Sequence, residues 1–225
     1  MSSLTVSDVK LQALESTCRV RLAHVIFPLE FRDLRDVLAR NGYELVALPG
    51  PIPPAPTRIV YTGEIARKEQ YTVHIDSSAG LVGVNGRSMT ATYNAFEELS
   101  KIVMDNFGVS LGNNVHYHEI IAHYNARTGK NAILQIGRQF EDSALIHGLG
   151  KVLGKTTSMY SIRLAPKGDV PNQEEWYDIS IDPDVLKPET YHVGIIFRSP
   201  RKEEIASFAI NLEETIGELL RTIEK

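Results

Sequence analysis

The chain has 225 residues, with 24 Lys and Arg against 28 Asp and Glu, and a formal net charge of −4. This balance argues against a protein that grips DNA through a broad basic face. No apolar run approaches the ~20 residues that a membrane-spanning helix needs. The single cysteine, Cys18, rules out an internal disulfide. We therefore expect a soluble cytoplasmic protein.

The first half of the chain is predicted to alternate strands with helices. Residues 1–18 form an N-terminal segment, either a short helix or a loose tail. Between 29 and 41 apolar residues recur at helical spacing, and Asn41-Gly42 is a typical helix stop. The predicted elements are a strand at 19–27, a helix at 29–41, a strand at 43–48, a proline-rich spacer at 49–56, a hairpin at 59–67 and 70–76, a strand within 81–92, and a helix capped by Asn94 that ends near Gly108.

The second half is predicted to repeat this order with longer insertions. Extra residues are expected in a helical stretch at 131–153 or in a polar loop at 167–174. Ser199-Pro200 is a good helix start, because serine caps helices and proline fits the first turn. The predicted strands lie at 115–124, 158–164, 175–181 and 191–198, and the final helix runs to about residue 223.

Internal sequence matches indicate a duplication. The hexapeptide 71–76, Tyr-Thr-Val-His-Ile-Asp, reads again at 177–182 as Tyr-Asp-Ile-Ser-Ile-Asp, an offset of 106 residues. Residues 97–99 match 203–205 at the same offset, whereas 21–24 match the stretch that ends at His123 at an offset of 99. We expect two repeats, 19–109 and 110–225, within one continuous structural unit.

Strands punctuated by helices favour an α+β fold. We expect two pseudo-repeats of strand-helix-strands-helix that form a largely antiparallel sheet with helices packed on one face. The apolar alternation of the strands suits a sheet with its other face in water.

This element order resembles the TATA-binding-protein fold, over most of the chain and in topology alone. The resemblance implies a saddle-shaped sheet that binds DNA through a basic face with phenylalanine wedges. Here the outward positions of the two hexapeptides carry carboxylates, which repel phosphates. The outward residues are Thr72, His74, Asp76, Asp178, Ser180 and Asp182. A saddle that binds nucleic acid would need scattered basic residues to cluster, namely Arg58, Arg67, Lys68, Arg163 and Arg198.

Histidines supply the densest group of metal-ligand side chains. On a strand at 115–124, period two places His116 and His118 on one face and Glu119 and His123 on the other. Two histidines are a workable start for a zinc or other divalent-metal site. His74 is the third ligand that we would add, with Asp76 as a substitute. The alternative is a half-exposed strand that contains histidines and holds no metal.

Other motifs favour structure over chemistry. The glycine-rich stretch 148–156 has the wrong spacing for a phosphate loop or a dinucleotide fingerprint and is predicted to be a helix end and turn. Asp76 and Asp182 occupy equivalent places in the two repeats. One interpretation is that their carboxylates act as a pair in cation binding or acid–base chemistry. The other is that each aspartate begins a turn. Cys18 is predicted to be a small apolar residue of the first strand, and Trp176 a core or edge residue.

The function that these patterns favour is binding or assembly without catalysis, through the open sheet face or the seam between repeats. We expect a homo-oligomer or a protein partner, no cofactor and no membrane. A metal-binding protein or metal-dependent enzyme that uses His116 and His118 is the first alternative. A nucleic-acid-binding saddle is the second, and the net charge disfavours it.

Overall fold

The computed structural model describes residues 9–24, 26–48, 50, 59–168 and 173–225. The predicted spacer at 49–56 lies, except for Gly50, outside the described residues, and so does Arg58.

Fourteen elements make up this part of the chain, and nine of them are strands of one sheet. In chain order they are β1 (Lys10–Leu22), α1 (Phe31–Arg40), β2 (Glu44–Leu45), β3 (Thr62–Lys68), β4 (Tyr71–Asp76), β5 (Leu81–Gly86), α2 (Met89–Phe107), β6 (Val115–Arg127), α3 (Ala132–Gln139), α4 (Ala144–Leu153), β7 (Ile162–Leu164), β8 (Trp176–Pro183), β9 (Thr190–Ser199) and α5 (Lys202–Ile223).

The sheet is open and entirely antiparallel, in the order β2-β3-β4-β5-β1-β6-β9-β8-β7. Each half contributes a 13-residue central strand, β1 or β6, and ends in a long helix, α2 or α5. The two central strands pair with each other, with Thr17 opposite Ile121. We call the β1–β6 pair the seam. The predicted α+β class and its largely antiparallel sheet are therefore confirmed.

The two faces of the sheet differ in what covers them. Directly paired residues point to the same face, so Cys18, Val84 and Ile120 lie together on the face that carries the helices and the core. The opposite surface, which we call the open face, receives the alternate residues. The six hexapeptide positions predicted to point outward belong to it. One row of paired residues crosses it from Glu64 through His74, Gly83, Arg19, Glu119 and Arg198 to Trp176.

Several predicted boundaries were wrong, because tertiary pairing overrides local propensity. β1 begins at Lys10 and ends at Leu22, since β6 pairs with it along that length and supplies hydrogen-bond partners to its polar first half. α2 begins at Met89 after Ser88, which places Asn94 inside the helix on its exposed side. The predicted helix at 131–153 is two helices, α3 and α4, separated by a turn.

Among the described residues, no helix combines the length and the apolar character that crossing a membrane requires.

Candidate functional site

The centre of the open face is an ion-pair triad across the seam. Arg19 on β1 and Arg198 on β9 flank Glu119 on β6, because the three residues are direct neighbours in the pairing register. Arg19 Nε donates to Glu119 Oε1 at 2.7 Å, and Arg198 Nε donates to Oε2 at 2.7 Å. Both carboxylate oxygens are thus used, in the charge-assisted geometry that makes arginine–carboxylate pairs strong.

Aromatic rings and guanidinium groups shield this triad from water. The Glu119 side chain is 0% exposed, whereas those of Arg19 and Arg198 are 26% and 17% exposed. The Arg198 guanidinium carbon lies 4.8 Å from the centre of the Tyr117 ring and 5.8 Å from that of Trp176. Cation–π contacts of this kind hold a guanidinium flat against the sheet.

A glycine gives Arg19 room to lie across the sheet. A Cβ at Gly83 would stand 2.4 Å from Arg19 Cβ, 2.7 Å from Cys18 O and 2.8 Å from His74 Cε1. His74 is therefore pressed against the triad, and its Nδ1 is buried without a hydrogen-bond partner. Burial, and then the charge of Arg19, lower the pKa of His74 to about 4. The ring is neutral at pH 7.

Charge on the open face changes sign between its centre and its flanks. Arg21, an exposed residue 6.0 Å from the centre of the Tyr117 ring, joins Arg19 and Arg198 around the one carboxylate of Glu119. On the flanks, carboxylates outnumber guanidinium groups. Two flank acids pair with an arginine, Glu64 with Arg67 and Asp178 with Arg163, and Glu44, Asp76 and Asp182 also lie on the flanks, whereas one end of the seam strands carries Glu15, Lys10 and Arg127. The centre is locally cationic although the chain carries −4.

The helix-covered side of the seam holds a second polar group. Cys18 and His118 are diagonal neighbours on β1 and β6, and both are fully buried. Above them, Lys202 Nζ donates to Glu97 Oε2 at 2.7 Å and so links α5 to α2. The His118 ring meets Phe96 edge-on, with 6.5 Å between ring centres.

Neither of the two buried groups is prepared for catalysis. Burial raises the pKa of the Cys18 thiol well above its usual range, and the charge of Glu97 adds to the rise. Burial lowers the pKa of His118 to about 4, with Lys202 contributing. A buried neutral thiol is a poor nucleophile. The predicted structural role of Cys18 agrees with this geometry.

The three histidines predicted as metal ligands lie in three different places. Arg21 pairs with Tyr117 and Leu22 with Val115, so His116 has no opposite residue and forms a β-bulge. It points to solvent, where its Nδ1 lies 2.9 Å from Glu174 Oε1.

The other two histidines lie on opposite faces of the sheet. His118 lies under the helices, and His74 lies on the open face. The bulge shifts the phase of β6 between 116 and 118, so the ideal period-two spacing that placed the pair on one face does not hold there. The described residues contain no group of three or more His, Cys, Asp or Glu that could hold a metal ion.

The paired aspartates also differ from one another. Asp76 begins a turn, because its Oδ1 accepts hydrogen bonds from the backbone N–H groups of Ser78 and Ala79. A hydrogen bond from the Ser78 hydroxyl, together with these backbone bonds, lowers the pKa of Asp76. Asp182 stays within β8, and Asp184 makes the equivalent turn two residues later. The turn interpretation therefore holds for Asp76 alone.

The remaining predicted features are placed as follows. The glycine-rich stretch is the end of α4, closed by Gly154 with a left-handed φ of 62°. Arg67, Arg163 and Arg198 share the open face but are spread over its width. Lys68 is on the other side and pairs with Glu98 of α2 at 2.6 Å. The four described basic residues named for a saddle thus do not form one patch.

Sequence reasoning missed the triad, although a signal was available. Arg19 and Glu119 are charged residues within apolar, β-branched runs, a position that demands a partner if the strands are central. Pairing them requires the β1–β6 register, which the sequence does not contain.

No protein-family model matches this chain, and no curated protein matches it with significant similarity.

Proposed function

We propose that this chain is a binding protein whose open face, centred on the seam, holds a short acidic segment of a protein partner. The observation that carries the proposal is the group of three arginines around the single carboxylate of Glu119, on a face that none of the described helices covers. Arg19 and Arg198 are held rigidly by Glu119, and Arg21 projects beside them. Held guanidinium groups bind a carboxylate at little cost in side-chain entropy.

The flanks favour a short acidic segment over nucleic acid. An extended strand or duplex that crosses the whole sheet places phosphates near the carboxylates of Asp76, Asp182 and Glu64. Those contacts are repulsive and cannot release counterions. A segment of only a few acidic residues contacts the cationic centre without reaching the carboxylates of the flanks. Basic residues next to that segment on the partner pair with those carboxylates.

The same charge pattern opposes self-association through the open face. A symmetric dimer with its axis at the seam presses the arginine centre of one copy onto that of the other. Like charges brought together in an interface cost several kcal/mol. The partner on this face is therefore a different protein.

We also propose that the two halves arose by duplication, as the likeness to the TATA-binding-protein topology suggests. If the two hexapeptides are equivalent, the pairing register makes Val84 equivalent to Ile195, 111 residues later, and Cys18 equivalent to Ala122, 104 residues later. One two-fold axis would then relate the three pairs of equivalent strands, which supports the proposal of a common origin.

Under the same equivalence, some of the sequence matches used to infer the duplication do not join equivalent residues. Thr17 becomes equivalent to Ile121, its own pairing partner, so the axis passes between them. α2 and α5 start 113 residues apart, at Met89 and Lys202. The matches at 97–99 and 21–24, with offsets of 106 and 99, therefore do not join equivalent places.

The test of the binding proposal compares Arg21→Ala with Arg40→Ala. Arg21 is exposed at the cationic centre, whereas Arg40 is exposed at the end of α1 in the helix layer. The probes are a fluorescent ten-residue glutamate-rich peptide and a labelled single-stranded oligonucleotide of equal charge. We expect peptide binding to weaken roughly fivefold in Arg21→Ala, about 1 kcal/mol, and to stay unchanged in Arg40→Ala.

Two outcomes would overturn the proposal. In the first, neither probe binds at low salt. In the second, the oligonucleotide binds more tightly than the peptide, with a steep loss of affinity as salt rises, which is the behaviour of a nucleic-acid saddle.

A further inference from the structure

The second half of the helix layer contains a groove that the first half fills. In the first half, α1 buries Phe31, Leu34, Val37 and Leu38 as it packs against β3 and the flank of α2. In the second half, the chain between the central strand and the next strand forms α3 and α4. α3 packs near α5 and buries Ala132 and Ile136, whereas the only buried side chain of α4 is Ile146.

The unfilled space is an aromatic groove between α5 and the adjoining ends of β8 and β9. Its floor consists of Tyr177, Phe197 and Phe208, all partly buried, and Phe197 and Phe208 stack with 4.1 Å between ring centres. Its volume is about 610 Å³, within the ~300–1,000 Å³ that is usual for binding pockets. We call this the aromatic groove.

Helix α4 is mostly exposed, and its exposed apolar residues form a stripe. The stripe runs along one side at positions i, i+4, i+7 and i+8, the spacing of a packing face. Its members are Leu145, Leu149, Val152 and Leu153, which are 44–84% exposed. We call them the α4 stripe. The described residues therefore include an unfilled aromatic groove and an unburied apolar helix face.

Charges on the helix and the groove are complementary. The segment 144–157 contains Lys151, Lys155 and His147 and no acidic residue. Three charged groups line the groove: the carboxylates of Glu175 and Glu204, which share the guanidinium of Arg201, and the guanidinium of Arg198, which pairs with Glu119. The two carboxylates are the more exposed of the three, so a cationic helix that enters this rim meets them first.

The turn that ends α4 is tightly closed. Gly154 ends the helix with a left-handed φ, and Lys155 N donates to Gly150 O at 3.1 Å. A Cβ at Gly150 would stand 2.9 Å from Lys155 O, so the turn after α4 is folded tightly against the helix. A second copy can receive α4 with this turn intact.

We propose that this chain forms a two-fold dimer in which the α4 stripe of each copy packs into the aromatic groove of the other. The exchange is reciprocal, so two helices and two grooves are buried together. This interface lies mainly in the helix layer, although the groove shares Trp176 and Arg198 with the edge of the open face. It does not depend on the partner proposed above, since the α4 stripe and the aromatic floor belong neither to the triad nor to Arg21.

The first experiment is sedimentation velocity over a range of protein concentrations. We expect a monomer–dimer equilibrium whose dissociation constant rises at least tenfold in Val152→Glu. The matched control is Leu186→Glu, a residue that is 88% exposed in the turn after β8 and outside the groove. We expect the control to dimerise like the unmodified chain. A monomer at every concentration, or a dimer that Val152→Glu leaves unchanged, would overturn the proposal.

The second experiment separates exchange between copies from closure within one copy. Val152→Cys is made in one chain and Ser207→Cys, on the groove wall, in another, while the native Cys18 is buried and stays unreactive. Mixing the two variants under oxidising conditions is expected to give a disulfide-linked heterodimer. An intrachain disulfide in the monomeric double variant, with no crosslink in the mixture, would show that α4 fills its own groove and contradict the dimer.

Discussion

Arg198 and Glu119 face each other across β9 and β6, and Arg198 Nε donates to Glu119 Oε2 at 2.7 Å. Arg19 satisfies the other oxygen from β1, so one carboxylate ties three strands of the sheet together at the seam. The carboxylate is completely shielded from water. An ion pair in such a place contributes little net stability, but removal of one partner leaves buried charges without compensation.

The first prediction follows from this asymmetry. Glu119→Gln is expected to lower the free energy of unfolding by about 3–5 kcal/mol, because two guanidinium groups then lie next to each other with no anion. Glu64→Gln is the matched control, since Glu64 pairs with Arg67 in solvent on the same face. It is expected to cost less than about 1 kcal/mol. Urea denaturation of both variants measures the difference, and equal losses would contradict the shielded triad.

The second prediction concerns the glycine beneath Arg19. Gly83→Ala places a methyl group within 3 Å of Arg19 Cβ, Cys18 O and His74 Cε1. Two of these atoms belong to β1 next to its backbone, so the strands must separate, at a cost of about 1–3 kcal/mol. Gly148→Ala, in α4 with open space around it, is expected to stabilise by about 0.5–1 kcal/mol. Thermal unfolding of the two alanine variants should therefore move the melting temperature in opposite directions.

The sequence predicted which side chains lie on each face of the sheet better than it predicted the residues of the candidate site. Alternation in the hexapeptides assigned six side chains to the open face correctly, because a period of two survives wherever pairing is regular. The same rule failed for His116, since a bulge inserts one residue into β6 and shifts the phase. No local pattern marks that bulge, which arises from the fit between β6 and β1.

Long-range register accounts for what the sequence could not supply. Arg19 and Glu119 are 100 residues apart and meet only because β1 and β6 pair antiparallel around Thr17 and Ile121. The predicted internal repeat implied a seam, but the register in which β1 pairs with β6 depends on the sequences of both strands. The sequence shows charged residues inside apolar runs, but it does not show which residues they form ion pairs with.

The third prediction is a loss of stability in acid that originates at His118. The unfolded chain binds a proton on this histidine near its ordinary pKa of 6.5, whereas burial holds the pKa in the folded protein at about 4. Between these values the unfolded state binds more protons, so the free energy of unfolding falls as pH falls, by at most about 3 kcal/mol in total. Below pH 4 this contribution is fully lost.

His118→Leu should flatten the pH dependence of stability between pH 6.5 and 4. His74, whose pKa is also about 4, retains its own share of the slope. His123→Gln, an exposed histidine of the open face, is the control and should leave the slope as it is. Urea midpoints measured at half-unit pH steps test this, and a slope that His118→Leu leaves intact would refute the assignment.

The fourth prediction uses Cys18 as a reporter of the seam. Its thiol is buried beneath α2 and α5, and burial raises its pKa, so a thiol reagent at pH 8 is expected to react only when the helices open. Lys202→Ala removes the 2.7 Å ion pair to Glu97 that links the two helices. This partly exposed pair is worth at most about 1 kcal/mol, so labelling should accelerate by up to roughly fivefold. Lys101→Ala, at an exposed position of α2, should leave the rate unchanged. Rapid labelling of the unmodified chain, comparable to that in urea, would show that the thiol is accessible and that the helices do not seal the seam.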